Sequence, residues 1–546
     1  MTRYVLAAEA DQIQDFIFRS SRLVQVVGGS GLLSRFCRET APKLVSDPQH
    51  DVVISDGGSF RLLFNDSATA CDRGRTLAEM YRRATDGTLT VAEPVGYEAG
   101  GFKAANDEAE ALLRTAKRDE RRAEALAHMP YVALCASCGV SLATEHTARF
   151  EDERPNYLCE SCRHKAEERS LVRTEPDREQ FLNHFWQNLG VEGASGLPSR
   201  LDRELLPREA DDLAVHDPRN YVAYLLADGN GMGVLFSNCK AEDQLRSLSR
   251  ALSDALWTAL ARPTATLCER LWEPGKPVPV LPLILGGDDC FALLAAPYAL
   301  DFARRVCLTF EVEMNKAVRQ IGLLGPPEPR PTLAAAVVIC KANYPYALAH
   351  RRGAVLQRRA KRLARAAQLK HGVNLSAVDF DVILGGAVGE TNDDDWKMGR
   401  QNFVAGLRPY WVSDDGLPSE AAQYGLGLET VLEGRYKLRH LPAKRRSELR
   451  ELYLDGLPDE GEEVHEKWTP QLRALLQRTG RRAADVHALE EALAVLGDSQ
   501  ADAPGRWHDV RRPGGRYRAH GLPDLLTAWD FGLDLDRERE EYEEAE

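Results

Sequence analysis

Apolar and polar positions alternate along the chain in two rhythms. Short apolar, β-branched runs predict strands at "RYVLAAEA" (3–10), "DVVISDGGSFRLLF" (51–64), "NYVAYLLADGNGMGVLF" (220–236), "VLPLILGGDDCFALLAA" (280–296) and "PTLAAAVVICKA" (331–342). Apolar residues three and four apart predict helices between them. One lies in "DQIQDFIFRSSRLVQVVGGSGLLSRFCRETAPKLV", where Gly28 and Gly29 read as an interruption. Others fall near 75–85, 106–128, 241–262, 298–319 and 345–370.

The order repeats. Each half reads strand, helix, a hairpin carrying Gly-Gly, helix, strand, then a helix containing Ala-Lys-Arg, at 116–118 and again at 360–362. The spacings are similar without being identical, so the pattern predicts two like domains rather than a short repeat. Strands mixed with helices in this order predict an α+β class, an antiparallel sheet with helices on one face. Residues from about 391 onward read as a mainly helical third region, with charged stretches such as "AKRRSELRELYLDGL" and "HALEEALAVLG".

A length of 546 residues fits several domains. No apolar run approaches the length of a bilayer span, and the N-terminus lacks a secretory signal, so a cytoplasmic protein is expected. The net charge of −13 argues against indiscriminate nucleic-acid coating and leaves room for a local basic groove. Much of the acid lies at the end, in "DLDRERE EYEEAE", read as a solvated helix or tail.

The tip "GGDD" (286–289) is the first candidate for chemistry. Gly286 and Gly287 permit a sharp turn and close approach of a ligand to backbone. Asp288 and Asp289 repel each other unless cations neutralise them, and oxygen-only donors suit Mg²⁺ or Mn²⁺. A third carboxylate is needed, and Asp228 at the end of an apolar strand supplies it, followed by a turn opening with Gly229 whose amides could cradle phosphates. Two such metals clamp attacking and leaving oxygens in phosphoryl transfer. The plainer alternative is a polar turn with no ligand.

Asp228 with "DGNGMG", the "GGDD" tip, and "LAAAVVICKANYPYALAHRRGAVLQRRAKR" together resemble the catalytic palm of the large subunit of type III CRISPR effector complexes, itself related to the GGDEF nucleotidyl cyclases. "IQDFIFRSSRLVQVVGGSGLL" (13–33) and "DGGSFRLLF" (56–64) resemble that family's first palm. The resemblance spans about residues 1–390. It implies two ferredoxin-like palms: a degenerate one at 1–130 and an active one at 173–390, with a zinc module at 131–172 between them and a C-terminal region at 391–546. It implies an enzyme that joins ATP into cyclic oligoadenylates with release of pyrophosphate. Asp228, Asp288 and Asp289 would be catalytic and hold two Mg²⁺ or Mn²⁺ ions, and Lys361 would face the triphosphate. Lys361 could equally be a solvated charge on a basic helix. Partners implied are other subunits of a guide-RNA complex and, through them, guide and target RNA; no membrane is implied.

Three departures from the family pattern stand out. The palm begins at residue 4 with no His-Asp phosphohydrolase motif ahead of it, so DNA cleavage by that route is not expected. The first palm has Gly57-Gly58-Ser59-Phe60 where the second has Gly-Gly-Asp-Asp; Gly57, Gly58 and Ser59 are candidates for the side that holds a second nucleotide. Asn230 stands where relatives often have aspartate, so the third carboxylate rests on Asp228.

"CASC" (135–138) and "CESC" (159–162) form a strong zinc pattern. Cys135, Cys138, Cys159 and Cys162 would close a tetrahedron with no open position, a structural site; a redox dithiol is the alternative, with His146 and His164 as weaker ligands. The seven other cysteines read as buried free thiols. The basic run 350–370 reads as a solvated face or as a surface for triphosphate or RNA backbone. Trp396, Tyr410 and Trp411 could stack on bases, though such residues are more often core. Two other functions stay open: a related palm making a different cyclic nucleotide, alone or in a complex, and a non-catalytic scaffold binding nucleotide or RNA.

Overall fold

The computed structural model describes residues 2–20, 22–119, 133–147, 155–174, 181–194, 197–198, 205–323, 330–384, 403–404, 406–454, 470–472, 474–475, 477–478, 483–497, 507–512 and 515–537. Trp396, the end of the 106–128 helix and the acidic stretch after 537 lie outside these residues. No helix among them is long and apolar enough to cross a membrane.

The first sheet contains β1 (Arg3–Ala10), β2 (Val52–Asp56), β3 (Ser59–Phe64), β4 (Leu89–Val91) and β5 (Val95–Tyr97). Its order is β2-β3-β1-β4, with β5 also on β1. Small β1 side chains alternate between two covered faces. Leu6 and Ala8 join Leu62 and Phe60 under Leu77 and Tyr81 of helix Ser67–Thr85. Val5 and Ala7 join Leu63 on the face that holds Ala105, Ala109 and Leu113 of helix Phe102–Asp119. Helices therefore cover both faces rather than the one expected.

A small two-stranded sheet, β6 (Glu145–Thr147) with β7 (Asn156–Leu158), follows, and then helix Glu160–Thr174. That helix lies against helix Leu23–Arg35. A Cβ on Gly28 would fall 1.9 Å from the Lys165 carbonyl oxygen, so only glycine permits this approach. Gly28 and Gly29 thus do not interrupt the helix; they are where another helix packs. Lys165 Nζ donates to the Phe16 carbonyl oxygen, and Arg35 pairs with Glu168 at 2.9 Å.

The second sheet is built from β8 (Tyr221–Asn230), β9 (Val280–Gly286), β10 (Asp289–Ala295), β11 (Thr332–Lys341) and β12 (Ser376–Val382). It is completed after β13 (Phe403–Val404) by β14 (Tyr410–Val412), in the order β14-β12-β11-β8-β10-β9. Every pairing is antiparallel except β11 with β12, which helix Tyr346–His371 joins as a crossover. That helix covers the face of Leu226 and Phe291, since Gly353 lies against Leu226 and His350 against Phe291. Helix Ala299–Ile321 covers the opposite face, placing Cys307 near Cys290. Helix Glu242–Leu271 runs nine residues beyond the expected end at 262, carrying the buried Pro263 within it.

Among the described residues after 391, helices predominate, and four short strands accompany them. β14 extends the second sheet, and β15 (His508–Arg512), β16 (Gly515–Ala519) and β13 make a three-stranded sheet beside helices such as Leu428–Lys437 and Ala483–Leu496. Tyr410 and Trp411 are fully buried: Tyr410 Oη donates to Asp524 at 2.7 Å and Trp411 Nε1 to the Ala421 carbonyl at 3.0 Å. They are core residues and cannot stack on a base. Near the end, the Leu535 amide donates to Asp301 at 3.1 Å.

Candidate functional site

The hairpin register assembles the acidic cluster. Asp289 opens β10 opposite Gly286 of β9 and, across the other edge, opposite Asp228 of β8. Side chains in register on neighbouring strands share a face, so Asp228 and Asp289 point the same way. Asp288 occupies the turn with Gly287, whose φ of +62° favours glycine. The Gly229 amide donates to the Asp288 carbonyl at 3.2 Å, and a Cβ at Gly229 would sit 3.1 Å from Asp288 Cβ. One carboxylate oxygen from each of Asp228, Asp288 and Asp289 lies within 4.8 Å of the others.

Partial burial and the Asp228 charge push the Asp288 carboxyl up to about 6 and Asp289 up to about 7, while Lys361 opposes both shifts. Lys361 Nζ is 2.6 Å from Asp228 Oδ2. An all-oxygen donor set under mutual repulsion fits a hard divalent cation. Asn230 takes no part: its Nδ2 donates to Thr332 Oγ1 at 3.1 Å.

The first sheet repeats the arrangement with different residues. Its hairpin is flanked by Asp56 and Ser59, which pair with each other as Gly286 and Asp289 do. Gly57 therefore corresponds to Gly287, Gly58 to Asp288 and Ser59 to Asp289. This is one residue away from the correspondence expected from the sequence. Glu9 lies opposite Ser59 as Asp228 lies opposite Asp289. Lys117 of the first Ala-Lys-Arg pairs with Glu9 at 2.8 Å, as Lys361 of the second pairs with Asp228.

The two turns meet. A Cβ on Gly57 would lie 2.5 Å from the Gly287 nitrogen, and Gly58 packs against Ile13. Both glycines serve packing, which leaves Ser59, Glu9 and Lys117 as the polar groups on that side. Asp56 accepts the Gly287 amide at 3.3 Å. Burial raises its carboxyl above the usual range, with Arg38 and the Gly287 and Gly57 amides opposing. Asp56, Glu9 and Lys117 escaped sequence reasoning; the repeated Ala-Lys-Arg pointed to Lys117, but nothing local pointed to Asp56.

Of the basic helix, Arg352 pairs with Asp381 at 2.7 Å and Arg359 with buried Asp379 at 3.1 Å, so part of that charge holds the helix to β12. Arg351, Arg358 and Arg365 face solvent.

The four cysteines Cys135, Cys138, Cys159 and Cys162 bring their sulfurs within 4.8 Å of one another. Cys138 Sγ lies 3.9 Å from Cys159 Sγ, close to the edge of a tetrahedron with metal–sulfur bonds of about 2.3 Å. The Cys162 amide points at Cys159 Sγ at 3.4 Å. The donor set fits Zn²⁺. His164 is engaged with Arg163 and the Ala84 carbonyl, and His146 stacks beside Tyr157. Cys37, Cys239, Cys268, Cys290, Cys307 and Cys340 are buried thiols; Cys71 is half-buried.

The second sheet and the helices on its two faces carry this acidic cluster at one hairpin tip. Residues 221–368 match the family model for Cas10/Cmr2, second palm domain. No curated protein matches it by sequence. Among solved structures, Csm1 in T. onnurineus matches with a TM-score of 0.50 at 15% identity, over 97% of this chain and 70% of that one; at that identity the likeness concerns the fold alone. A Csm1-Csm4 cassette in complex with cA4 matches with a TM-score of 0.44 at 13% identity, over 90% of this chain and 69% of that one. The same cassette in complex with one ATP gives 0.43 at 14% identity, over 90% and 69%.

Proposed function

We propose that this chain is a metal-dependent nucleotidyltransferase that converts ATP to cyclic oligoadenylates as the large subunit of a type III CRISPR guide-RNA complex. The observation that carries the reading is the convergence of Asp228 and Asp289, paired on neighbouring strands, with Asp288 of the adjoining turn, in a segment that matches the Cas10/Cmr2 second palm domain.

In this reading the three carboxylates hold two Mg²⁺ or Mn²⁺ ions, which when bound supply Lewis-acid stabilisation to the attacking and leaving oxygens. The 3′-hydroxyl oxygen of one nucleotide forms a bond to the α-phosphorus of the next as its proton passes to solvent, and the bond to pyrophosphate breaks. Lys361 releases Asp228 to meet the triphosphate. Gly229, Gly286 and Gly287 keep the approach free of side chains. Ser59, rather than the packed Gly57 and Gly58, offers a hydroxyl to the acceptor nucleotide. Cys135, Cys138, Cys159 and Cys162 hold one structural Zn²⁺. The expected units 1–130, 131–172, 173–390 and 391–546 remain the proposed division, with β14 lent by the last to the sheet of the third.

The test incubates the full chain, alone and with guide-complex subunits and matching RNA, with each nucleoside triphosphate and Mg²⁺ or Mn²⁺. Mass spectrometry should find cyclic 3′–5′ adenylates. A folded protein that makes none under any of these conditions overturns the reading, and a different base in the product redirects it.

A further inference from the structure

The first sheet holds a carboxylate that reaches beyond its own hairpin. Asp56 occupies the hairpin position that Gly286 occupies in the second palm. From there it reaches across to the Gly287 amide at 3.3 Å. The approach is backbone to backbone: a Cβ on Gly57 would strike the Gly287 nitrogen, and Gly286 lies against Gly57 Cα at 3.1 Å from its own would-be Cβ. Asp56 is held in turn by the Gly57 amide, by Ser253 on helix Glu242–Leu271 and by the charge of Arg38. The residue it grips directly precedes Asp288 and Asp289.

We infer that Asp56 is a positioning residue for the active turn: by accepting the Gly287 amide it fixes the backbone from which Asp288 and Asp289 project. The inference rests on the proposed function for its catalytic consequence, but the hydrogen bond itself can be tested without it. An N–H held by a carboxylate is restrained in direction as well as position, and misplacing catalytic groups by about 1 Å costs on the order of 100-fold in rate. The first palm, lacking the acidic pair, thus still contributes to the reaction.

The experiment compares wild type, Asp56→Asn and Asp56→Leu in the full chain. Asparagine keeps an acceptor oxygen; leucine keeps volume without one and leaves the Gly287 amide unpaired, at a cost in stability, so a thermal melt first establishes that both variants are folded. Hydrogen exchange of the peptide covering 286–289 should be at least tenfold faster in Asp56→Leu and near wild type in Asp56→Asn. Turnover on ATP should fall at least tenfold in Asp56→Leu with KM within about twofold, and Asp56→Asn should recover most of it. Wild-type exchange of the turn in Asp56→Leu, or equal loss in both variants, overturns the inference. If wild type makes no product from ATP, the functional proposal fails and the exchange comparison still decides the role of Asp56.

Discussion

Lys361 Nζ closes a 2.6 Å ion pair on Asp228 Oδ2, and the lysine side chain remains partly open to solvent. The ammonium offsets charge in a cluster of three acids, and an incoming triphosphate would compete for it. Exchanging the partner changes binding more than chemistry. Lys361→Met should therefore raise KM for ATP by about tenfold with a smaller change in kcat, and Lys361→Arg should recover part of the loss. An exposed pair contributes at most about 1 kcal/mol to stability, so the melting temperature should move by only a few degrees. Steady-state kinetics over a range of ATP concentrations, paired with a thermal melt, separate the two effects; an unchanged KM removes Lys361 from the triphosphate site.

Each of Asp228→Asn, Asp288→Asn and Asp289→Asn should lower product formation at least 100-fold, measured by chromatography of labelled ATP products. The same acids set a pH dependence of the metal-free fold. Asp288 titrates near 6 and Asp289 near 7, above the ordinary carboxylate near 4. The folded chain therefore binds more protons than the unfolded chain between about pH 4 and 7. The stability this gives is complete below the unfolded value and is lost as pH rises through 7. Urea denaturation in chelator should show that decline, Asp289→Asn should flatten it, and Mn²⁺ should oppose it. A metal-free protein whose stability rises over that interval contradicts the crowding of the acids.

The cysteine cluster predicts one Zn²⁺ per chain by elemental mass spectrometry and none in Cys138→Ser. Structural zinc supplies on the order of 10 kcal/mol of folding free energy to small modules. Chelation at elevated temperature should thus free helix Glu160–Thr174 and, through Gly28 and Lys165, loosen helix Leu23–Arg35. Hydrogen exchange over both helices reads this out; loosening confined to 135–162 would mean the two helices do not depend on the metal.

Gly28→Ala places a methyl 1.9 Å from the Lys165 carbonyl oxygen, a backbone atom that cannot rotate away. The expected cost is about 3 kcal/mol, the upper end for overpacking. Gly29→Ala meets the Lys165 side chain at 3.4 Å and Ile17 Cα at 3.7 Å, ordinary contact distances, and should cost far less. Chemical denaturation of the two variants gives the comparison directly, and equal costs would place the helix contact elsewhere.

How much of this could be read from residues alone follows from the range of each interaction. The Gly-Gly-Asp-Asp tip and the strand ending in Asp228 announced themselves because alternation and turn chemistry are local. Their convergence followed from register, since a side chain one residue out would face the other side of the sheet. The cysteine pairs were legible because two close knuckles can do little else. Asp56 was not, because its partner lies 231 residues away and only the meeting of two turns gives it a role. Gly28 looked like a break because a glycine within a helix is ambiguous until the neighbouring helix is known. The offset of one residue in the first hairpin arises because Gly-Gly matches Gly-Gly in sequence, whereas the strands pair around Gly57-Gly58 in one sheet and Gly287-Asp288 in the other. β14 was lost because three residues carry too little periodicity to register.

That last strand has a practical consequence for anyone wishing to isolate a minimal catalytic fragment. Tyr410–Val412 pairs with Ser376–Val378 and seats Trp411 over a bed that includes Ala360, Ala364 and Ala377. A fragment trimmed at 390 would leave β12 with a raw hydrogen-bonding margin and that bed uncovered, an invitation to clump with its own copies. The useful cut lies beyond Val412, wherever the architecture would suggest otherwise.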